Sequence, residues 1–150
     1  MTQDHVFLDT NVLLDYFLAR EPQGSFAAQI LHLAAVGKVK ASTSAVSFSN
    51  VAYLLGRLDR TRIVERDLQE LLQFVKIIPN TAGMLGDALE MPLPDYEDAI
   101  QYVSALQGSC SHLVTSNKKH FKKCSIPIIE PSEYMKAGGR RSSSGMGNYI

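Results

Sequence analysis

The chain has 150 residues, of which 45% are hydrophobic, and this composition is enough for one domain with a sizeable buried core. Its 15 Lys and Arg residues match 15 Asp and Glu residues, so the formal net charge at pH 7 is zero. Attraction of the whole molecule to nucleic acid is therefore excluded, and any binding to a polyanion must come from a local patch.

The N-terminal residues and the two cysteines indicate where the protein works. Residues 1–5 are polar and do not resemble a secretory signal, and no segment approaches the roughly 18 apolar residues that cross a membrane. We therefore expect a soluble, cytoplasmic protein that does not span a membrane. In that reducing compartment, Cys110 and Cys124 are expected to be free, buried thiols rather than a disulfide.

The first half of the chain begins with a short apolar run and continues mainly with helical patterns. In chain order, we predict a strand at 5–8, helices at 12–19 and 25–36, a strand at 39–42 and a helix at 46–58. Pro22 and Gly24 form a turn after the first helix, and Gly37 ends the second helix. No internal repeat is present.

The second half continues the alternation of strands and helices. We predict, in order, a helix at 62–75, a strand at 76–79, helices at 80–90 and 95–106, strands at 112–115 and 126–129, and a short helix at 131–136. This alternation predicts a single α/β domain at 1–137, with a mainly parallel sheet covered by helices on both faces. Residues 138–150 are rich in Gly and Ser and are expected to form a flexible tail.

Side chains with oxygen atoms recur where the predicted strands end. Asp9 directly follows the first strand, at the carboxyl edge of the sheet, where open α/β folds bind their ligands. The alternative is that Asp9 or Thr10 only caps the following helix. Thr115 and Ser116 end the fourth strand, and short hydroxyl side chains such as these and Thr10 can orient a ligand or a water.

A second group of acids begins the helix at 95–106. Asp95 and Asp98 are three residues apart, so both can face one way. The alternative is a capping arrangement, with Asp95 as the N-cap and Asp98 stabilised by the helix dipole. Glu97 is off that face, and we expect it to be exposed to solvent.

Carboxylates that meet at one edge of a sheet repel one another unless a cation lies between them. Hard oxygen ligands without a His or Cys cluster suit Mg²⁺ or Mn²⁺ rather than zinc. Such a metal can activate water and stabilise the charge of a phosphodiester under attack. We therefore expect Asp9, Asp98 and Asp95 to bind Mg²⁺ or Mn²⁺ and to carry catalysis.

Four segments of the chain, in order, resemble the motifs of PIN domains, the PilT N-terminal nuclease fold. The segments are residues 6–15 (VFLDTNVLLD), 44–53 (SAVSFSNVAY), 95–102 (DYEDAIQY) and 113–121 (LVTSNKKHF). The resemblance covers about residues 5 to 136. It implies a metal-dependent ribonuclease, often the VapC-type toxin of a toxin–antitoxin pair, with an antitoxin as partner and a homodimer as a plausible assembly.

This sequence departs from the family pattern at some of the acids. Asp9 matches the first acid of the family and Asp98 the helix acid. The second acid, usually Glu, is Asn50 here, the fourth, usually Asp, is Asn117, and a later acid is His120. A site with two or three carboxylates instead of four should bind metal more weakly, with Asn50 and Asn117 only assisting. An Asn-for-Glu variant of this helix motif resembles one branch of the family.

A run of lysines follows Asn117. Beside an acidic pocket these lysines can contact the phosphate backbone of RNA, although a solvated loop is the alternative. The run consists of Lys118, Lys119, Lys122 and Lys123.

Three functions remain open. The leading prediction is an endoribonuclease that hydrolyses RNA. The two Asn replacements also fit a catalytically weak or inactive PIN-fold module that binds RNA or protein. The third is an aspartyl-phosphate phosphatase with Asp9 as the nucleophile. Asn11 stands where that chemistry usually needs a second acid.

Overall fold

The computed structural model describes residues 3–137 of the chain. The predicted flexible tail at 138–150 lies outside the described residues. The strands are β1 (His5–Leu8), β2 (Lys40–Ser44), β3 (Lys76–Ile78), β4 (His112–Val114) and β5 (Ile128–Ile129). The α-helices are α1 (Thr10–Phe17), α2 (Gln23–Ala35), α3 (Ala45–Leu58), α4 (Val64–Leu71), α5 (Ala82–Leu89), α6 (Tyr96–Gln107) and α7 (131–137), and a 3₁₀ turn, η1, covers Lys118–Phe121.

All five strands are parallel and lie in the order β3-β2-β1-β4-β5. In the centre of the sheet, Val6 pairs with Ala41 of β2 on one side and with His112 of β4 on the other. The chain therefore runs outward from β1 in one direction and then returns to its other side, which makes the carboxyl ends of β1 and β4 the switch point of the sheet. Ligands of open α/β sheets bind at that point.

Helices cover both faces of the sheet, as the sequence predicted. Val6 and Leu8 face a core formed with α1, α2, α3 and α4, whereas Phe7 between them faces a second core formed with α5 and α6. All three side chains of β1 are 0% exposed. Because successive side chains of a strand point to opposite faces, a strand buried on both faces must be apolar throughout, as this one is.

The element boundaries differ from the prediction where caps and prolines decide them. The helix α1 begins at Thr10 because the Asp9 side chain accepts a hydrogen bond from the first helical N–H. Asp95 lies just outside α6 as its N-cap. The predicted helix at 62–75 is shorter, at Val64–Leu71, and the predicted strand at 126–129 keeps only its last two residues, since Pro127 has no N–H to donate.

Two remaining expectations concern the state of the two cysteines and the absence of a membrane-crossing helix. Both cysteines are free, and Cys110 is buried. The expectation that Cys124 is buried is wrong, because this side chain is half-buried in the loop after η1. Among residues 3–137, no helix combines the length and the apolar character needed to cross a membrane.

Candidate active site

Asp9 lies at the switch point of the sheet, between the end of β1 and the start of α1. Its Oδ1 accepts a hydrogen bond of 2.8 Å from the Thr10 N–H, and its Oδ2 accepts one of 2.8 Å from the Thr115 hydroxyl at the end of β4. The residue is only 4% exposed. Asp9 is therefore both the cap of α1 and a carboxylate fixed at the carboxyl edge of the sheet.

The electrostatic environment of Asp9 disfavours its charge. Burial, and to a lesser extent the nearby carboxylates of Asp98 and Glu97, raise the pKa of Asp9 from 3.8 to about 6. The hydrogen bonds from Thr115 and Thr10 oppose these effects by stabilising the ionised form. Asp9 is consequently a mostly ionised, desolvated carboxylate at neutral pH, close to two other acids.

A buried layer of polar side chains supports the loop that carries Asp9. Gln101 of α6 is 0% exposed, and its Nε2 donates to the Thr10 hydroxyl at 3.0 Å. Its Oε1 accepts from the Ser44 hydroxyl at 2.6 Å, and Ser47 of α3 contacts the Thr10 hydroxyl as well. Because each of these buried groups has a partner, the layer holds Thr10, and with it Asp9, in one position.

Glu97 faces into this site, and the prediction that it is exposed to solvent is wrong. Its Oε2 accepts hydrogen bonds from the Asn50 amide of α3 and from the Thr10 hydroxyl, the latter at 3.4 Å. The physical reason is the orientation of α6. The inward face of this helix carries Glu97 and, one turn later, the buried Gln101, so position 97 points at α3 and α1.

Asp98 and Asp95 occupy different positions at the start of α6. Asp95 is exposed and caps the helix through the Asp98 N–H at 3.1 Å. Asp98 is partly buried, and burial together with the neighbouring Asp95 raises its pKa, whereas His120 lowers it. The Nδ1 atom of His120 lies 3.1 Å from Oδ2 of Asp98. The structure thus brings Asp98 next to η1 and leaves Asp95 at the rim.

The three residues after β4 have separate surroundings. The Thr115 hydroxyl donates to Asp9 and accepts the Asn117 N–H at 3.0 Å. Asn117, half-buried, directly precedes η1 as its N-cap. The Ser116 hydroxyl donates at 3.4 Å to Asp15, which also forms an ion pair of 2.9 Å with Arg20. The Ser116 side chain therefore points to Asp15, which lies more than one turn along α1 from Asp9.

The predicted lysine patch lies on η1 and the residues that follow it. Lys118 forms an ion pair of 3.0 Å with Glu133 of α7, and both side chains are largely exposed. Lys119, Lys122 and Lys123 are exposed as well. Because η1 packs against α6 and holds His120 beside Asp98, the patch borders the acidic pocket.

Besides Glu97, sequence reasoning missed three residues of the site, namely Ser44, Ser47 and Gln101. For Ser47 and Gln101 a signal was present in the helical spacing. Ser47 precedes Asn50 by three residues on α3, and Gln101 follows Asp98 by three residues on α6, so each shares a helix face with a predicted site residue. Among residues 3–137, no three side chains of His, Cys, Asp or Glu converge closely enough to hold a metal ion between them.

Comparison with known proteins identifies relatives of the whole domain. A family model described as the PIN domain matches residues 5–119. The chain is similar to ribonuclease VapC1 of Aquifex aeolicus, with 28% identity over 139 residues that cover 89% of this chain and 95% of the relative.

Several solved structures have a similar fold, and they include a toxin–antitoxin complex and a toxin. VapBC2 from Rickettsia felis, bound to a DNA fragment from its promoter, is 20% identical and covers 84% of this chain and 97% of its own, with a TM-score of 0.64. A toxin–antitoxin complex from Klebsiella pneumoniae is 22% identical with the same coverage and TM-score. The sarcin-ricin loop cleaving toxin VapC20 of Mycobacterium tuberculosis is 16% identical and covers 72% of this chain and 86% of its own, with a TM-score of 0.58.

Proposed function

The chain belongs to the PIN domain family, and we propose that it is a metal-dependent endoribonuclease that hydrolyses RNA phosphodiester bonds. The observation that carries this proposal is the position of Asp9. A desolvated carboxylate, fixed by two hydrogen bonds at the switch point of a parallel sheet and close to Asp98, is more than a helix cap requires. The Aquifex relative that is named as a ribonuclease supports the same reaction.

The donor set of the pocket fits Mg²⁺ or Mn²⁺. Asp9 and Asp98 would hold the ion with Asp95, at the rim, as a third ligand, and Asn50 and Asn117 would assist as neutral amides. Burial and, to a lesser extent, the neighbouring carboxylates raise the pKa values of Asp9 and Asp98, and a cation would stabilise the ionised form of both. Since no closed cluster of acids is formed in the described residues, water molecules would complete the shell, as is usual for Mg²⁺. When bound, the metal would activate water and stabilise negative charge on the phosphate.

The protein residues around the pocket would orient the reacting groups. Thr115 and the Thr10 N–H hold the two oxygens of Asp9 in fixed directions, so this carboxylate needs little reorganisation during the reaction. With a pKa of about 6, Asp9 is ionised at pH 7 and above. His120, beside Oδ2 of Asp98, limits the positions that this second carboxylate can take.

The lysine patch would bind the RNA backbone. The molecule has no net charge, so phosphate binding depends on local cations close to the pocket. Lys119, Lys122 and Lys123 are exposed, while Lys118 is held in its ion pair with Glu133. RNA lying across η1 would place a phosphodiester next to Asp98.

A toxin role in the cytoplasm, with an antitoxin protein as partner and a homodimer as assembly, is part of the proposal. It is supported by two fold neighbours, of which one is a toxin–antitoxin complex and the other a sarcin-ricin loop cleaving toxin. The chain also offers apolar side chains to a partner, because large apolar residues on α3 and at both ends of α4 are exposed. These side chains are Tyr53, Leu58, Ile63 and Leu72.

Two other functions are weaker explanations of the structure. A non-catalytic binding module is favoured only by the neutral side chains of Asn50 and Asn117. A phosphatase with Asp9 as the nucleophile is disfavoured, since both oxygens of this carboxylate accept hydrogen bonds and the residue is almost fully buried.

RNA cleavage with Mn²⁺ by the purified full chain tests the proposed function. We expect cleavage by the wild type and a loss of about 100-fold or more in Asp9→Asn and in Asp98→Asn, the size that removal of an essential charged catalytic group typically has. Asp87→Asn, on the exposed face of α5, is the matched control and should cleave like the wild type. Equal cleavage by all four proteins would refute the assignment. Failure of the wild type to bind Mn²⁺ at millimolar concentration would favour the binding module.

A further inference from the structure

We propose that Glu97 is a further carboxylate of the active site, positioned by Asn50, and that it acts on the metal through the water shell of the ion. This inference rests on the proposed function, because it assigns a role at the same metal site. It concerns a residue that the sequence pattern had placed in solvent.

The first observation is the direction of the Glu97 side chain. Its Oε2 accepts hydrogen bonds from the Asn50 amide on α3 and from the Thr10 hydroxyl at the start of α1. Thr10 is the residue next to Asp9 and is itself held by the buried Gln101. Glu97 is therefore tied to the loop that carries the most buried acid of the pocket.

The second observation is the proximity of the acids. Thr10 donates its N–H to Oδ1 of Asp9 at 2.8 Å and its hydroxyl to Oε2 of Glu97 at 3.4 Å, so a single residue bridges these two carboxylates. Three carboxylates from two elements, Asp9 on one side and the pair Glu97 and Asp98 on α6, thus share one pocket. Among residues 3–137 no three acids, histidines or cysteines are arranged to hold an ion together, so Glu97 would act on the metal through water rather than as a direct ligand.

The third observation concerns the chemistry of position 50. A carboxylate at this position would face Glu97 at hydrogen-bonding distance, and the two half-buried charges would repel. The amide of Asn50 instead donates through Nδ2 to Glu97. Asn50 is therefore a positioning residue, and α6 provides the negative charge that α3 does not.

A purely structural role of the Asn50–Glu97 contact makes a different prediction. In that case the contact only ties α6 to α3, and Glu97→Gln would preserve it because a glutamine oxygen still accepts from the Asn50 amide. Metal binding would then not change. If the charge of Glu97 acts on the metal, the same substitution weakens metal binding although the fold is kept.

The test is Mn²⁺ binding to the full chain, measured by isothermal titration calorimetry and by electron paramagnetic resonance of free Mn²⁺. We expect Glu97→Gln to weaken Mn²⁺ affinity by about tenfold or more, the usual effect of losing a residue that acts on a metal through another group. The swapped variant Asn50→Glu/Glu97→Gln should recover most of this loss, because it returns a carboxylate to the same contact. Glu65→Gln, on the exposed side of α4, is the control and should bind like the wild type.

The outcomes separate this inference from the proposed function. If the wild type binds Mn²⁺ and cleaves RNA while Glu97→Gln is indistinguishable from it in both, the inference is overturned and the proposed function stands. A swapped variant that binds Mn²⁺ no better than Glu97→Gln would overturn the expectation that a carboxylate at position 50 replaces the one at position 97. Absence of both Mn²⁺ binding and RNA cleavage in the wild type would overturn the proposed function, and the inference with it.

Discussion

The hydroxyl of Thr115 donates a hydrogen bond of 2.8 Å to Oδ2 of Asp9, and this contact joins two residues that are 106 positions apart in the chain. It crosses the switch point of the sheet, since β1 ends before Asp9 and β4 ends before Thr115. Because this contact depends on the pairing of β4 with β1, the topology of the sheet influences the pKa of Asp9. The predictions below follow from this coupling.

Removal of the Asp9 charge should stabilise the protein while it abolishes activity. The folded-state pKa of about 6 lies above the ordinary value of 3.8, so the contribution of Asp9 to stability is complete below about pH 4 and is lost as the pH rises through 6. Above that pH the ionised form costs about 2 to 3 kcal/mol at 1.36 kcal/mol per pKa unit. Asp9→Asn should recover part of this energy at pH 7.5 in metal-free buffer.

Urea denaturation of wild type and Asp9→Asn at pH 4 and pH 7.5 measures the effect. The gain of the variant should be larger at pH 7.5 than at pH 4. A variant less stable than the wild type at both pH values would show that the ionised Asp9 carboxylate does not destabilise the folded protein.

Loss of the Thr115 hydroxyl should shift the pH dependence of catalysis. Its hydrogen bond lowers the pKa of Asp9, so Thr115→Val should raise that pKa further. The acid limb of the pH profile of kcat/KM should move to higher pH, whereas Thr115→Ser, which keeps the hydroxyl, should retain the wild-type limb. If the acid limb of the kcat/KM profile is unchanged in Thr115→Val, the ionisation that controls the rate is not that of Asp9.

Loss of the Gln101 amide should affect both stability and activity. Gln101→Leu leaves the buried hydroxyls of Ser44 and Thr10 without this amide, which should cost about 1 to 3 kcal/mol of unfolding free energy. Activity should fall as well, because Thr10 is no longer held beside Asp9. The control Gln107→Leu changes an exposed side chain on the same helix and should alter stability by less than about 0.5 kcal/mol.

Neutralisation of the lysine patch should weaken RNA binding and reduce its salt dependence. The triple change of Lys119, Lys122 and Lys123 to Ala removes up to three phosphate contacts, so the slope of log K against log salt should become shallower by about 2 for single-stranded RNA. The fluorescence anisotropy of labelled RNA measures this slope. The control changes Lys40 and Lys76 to Ala, at the amino edge of the sheet, and an equal effect per lysine there would contradict a local patch.

The sequence was sufficient for the fold and for the positions of Asp9 and Asp98. Short apolar runs that alternate with helical patterns identify a parallel sheet, and residues that directly follow such strands must lie at its carboxyl edge. For this reason the strand-end positions of Asp9 and Thr115 could be predicted without coordinates. Their mutual hydrogen bond could not, because it depends on β4 pairing with β1.

The orientation of α6 is what the sequence did not provide. A helix position changes direction by about 100° per residue, so the choice between Glu97 and Asp95 as the inward acid depends on how α6 packs on β2 and α5. The structure turns Glu97 and Gln101 inward and leaves Asp95 at the cap. Packing against distant elements decided this point, and local spacing alone favoured the other face.

The most direct test of a metal-dependent site at Asp9 is a crystal of the full chain soaked in Mn²⁺ and measured at the manganese absorption edge. The account predicts an anomalous peak between the carboxylates of Asp9 and Asp98, within about 2.0–2.3 Å of at least one oxygen, which is close to the distance expected for a hard divalent ion. The same peak should be absent from crystals of Asp9→Asn. No peak in the wild type at saturating Mn²⁺, or a peak only outside this pocket, would contradict the account.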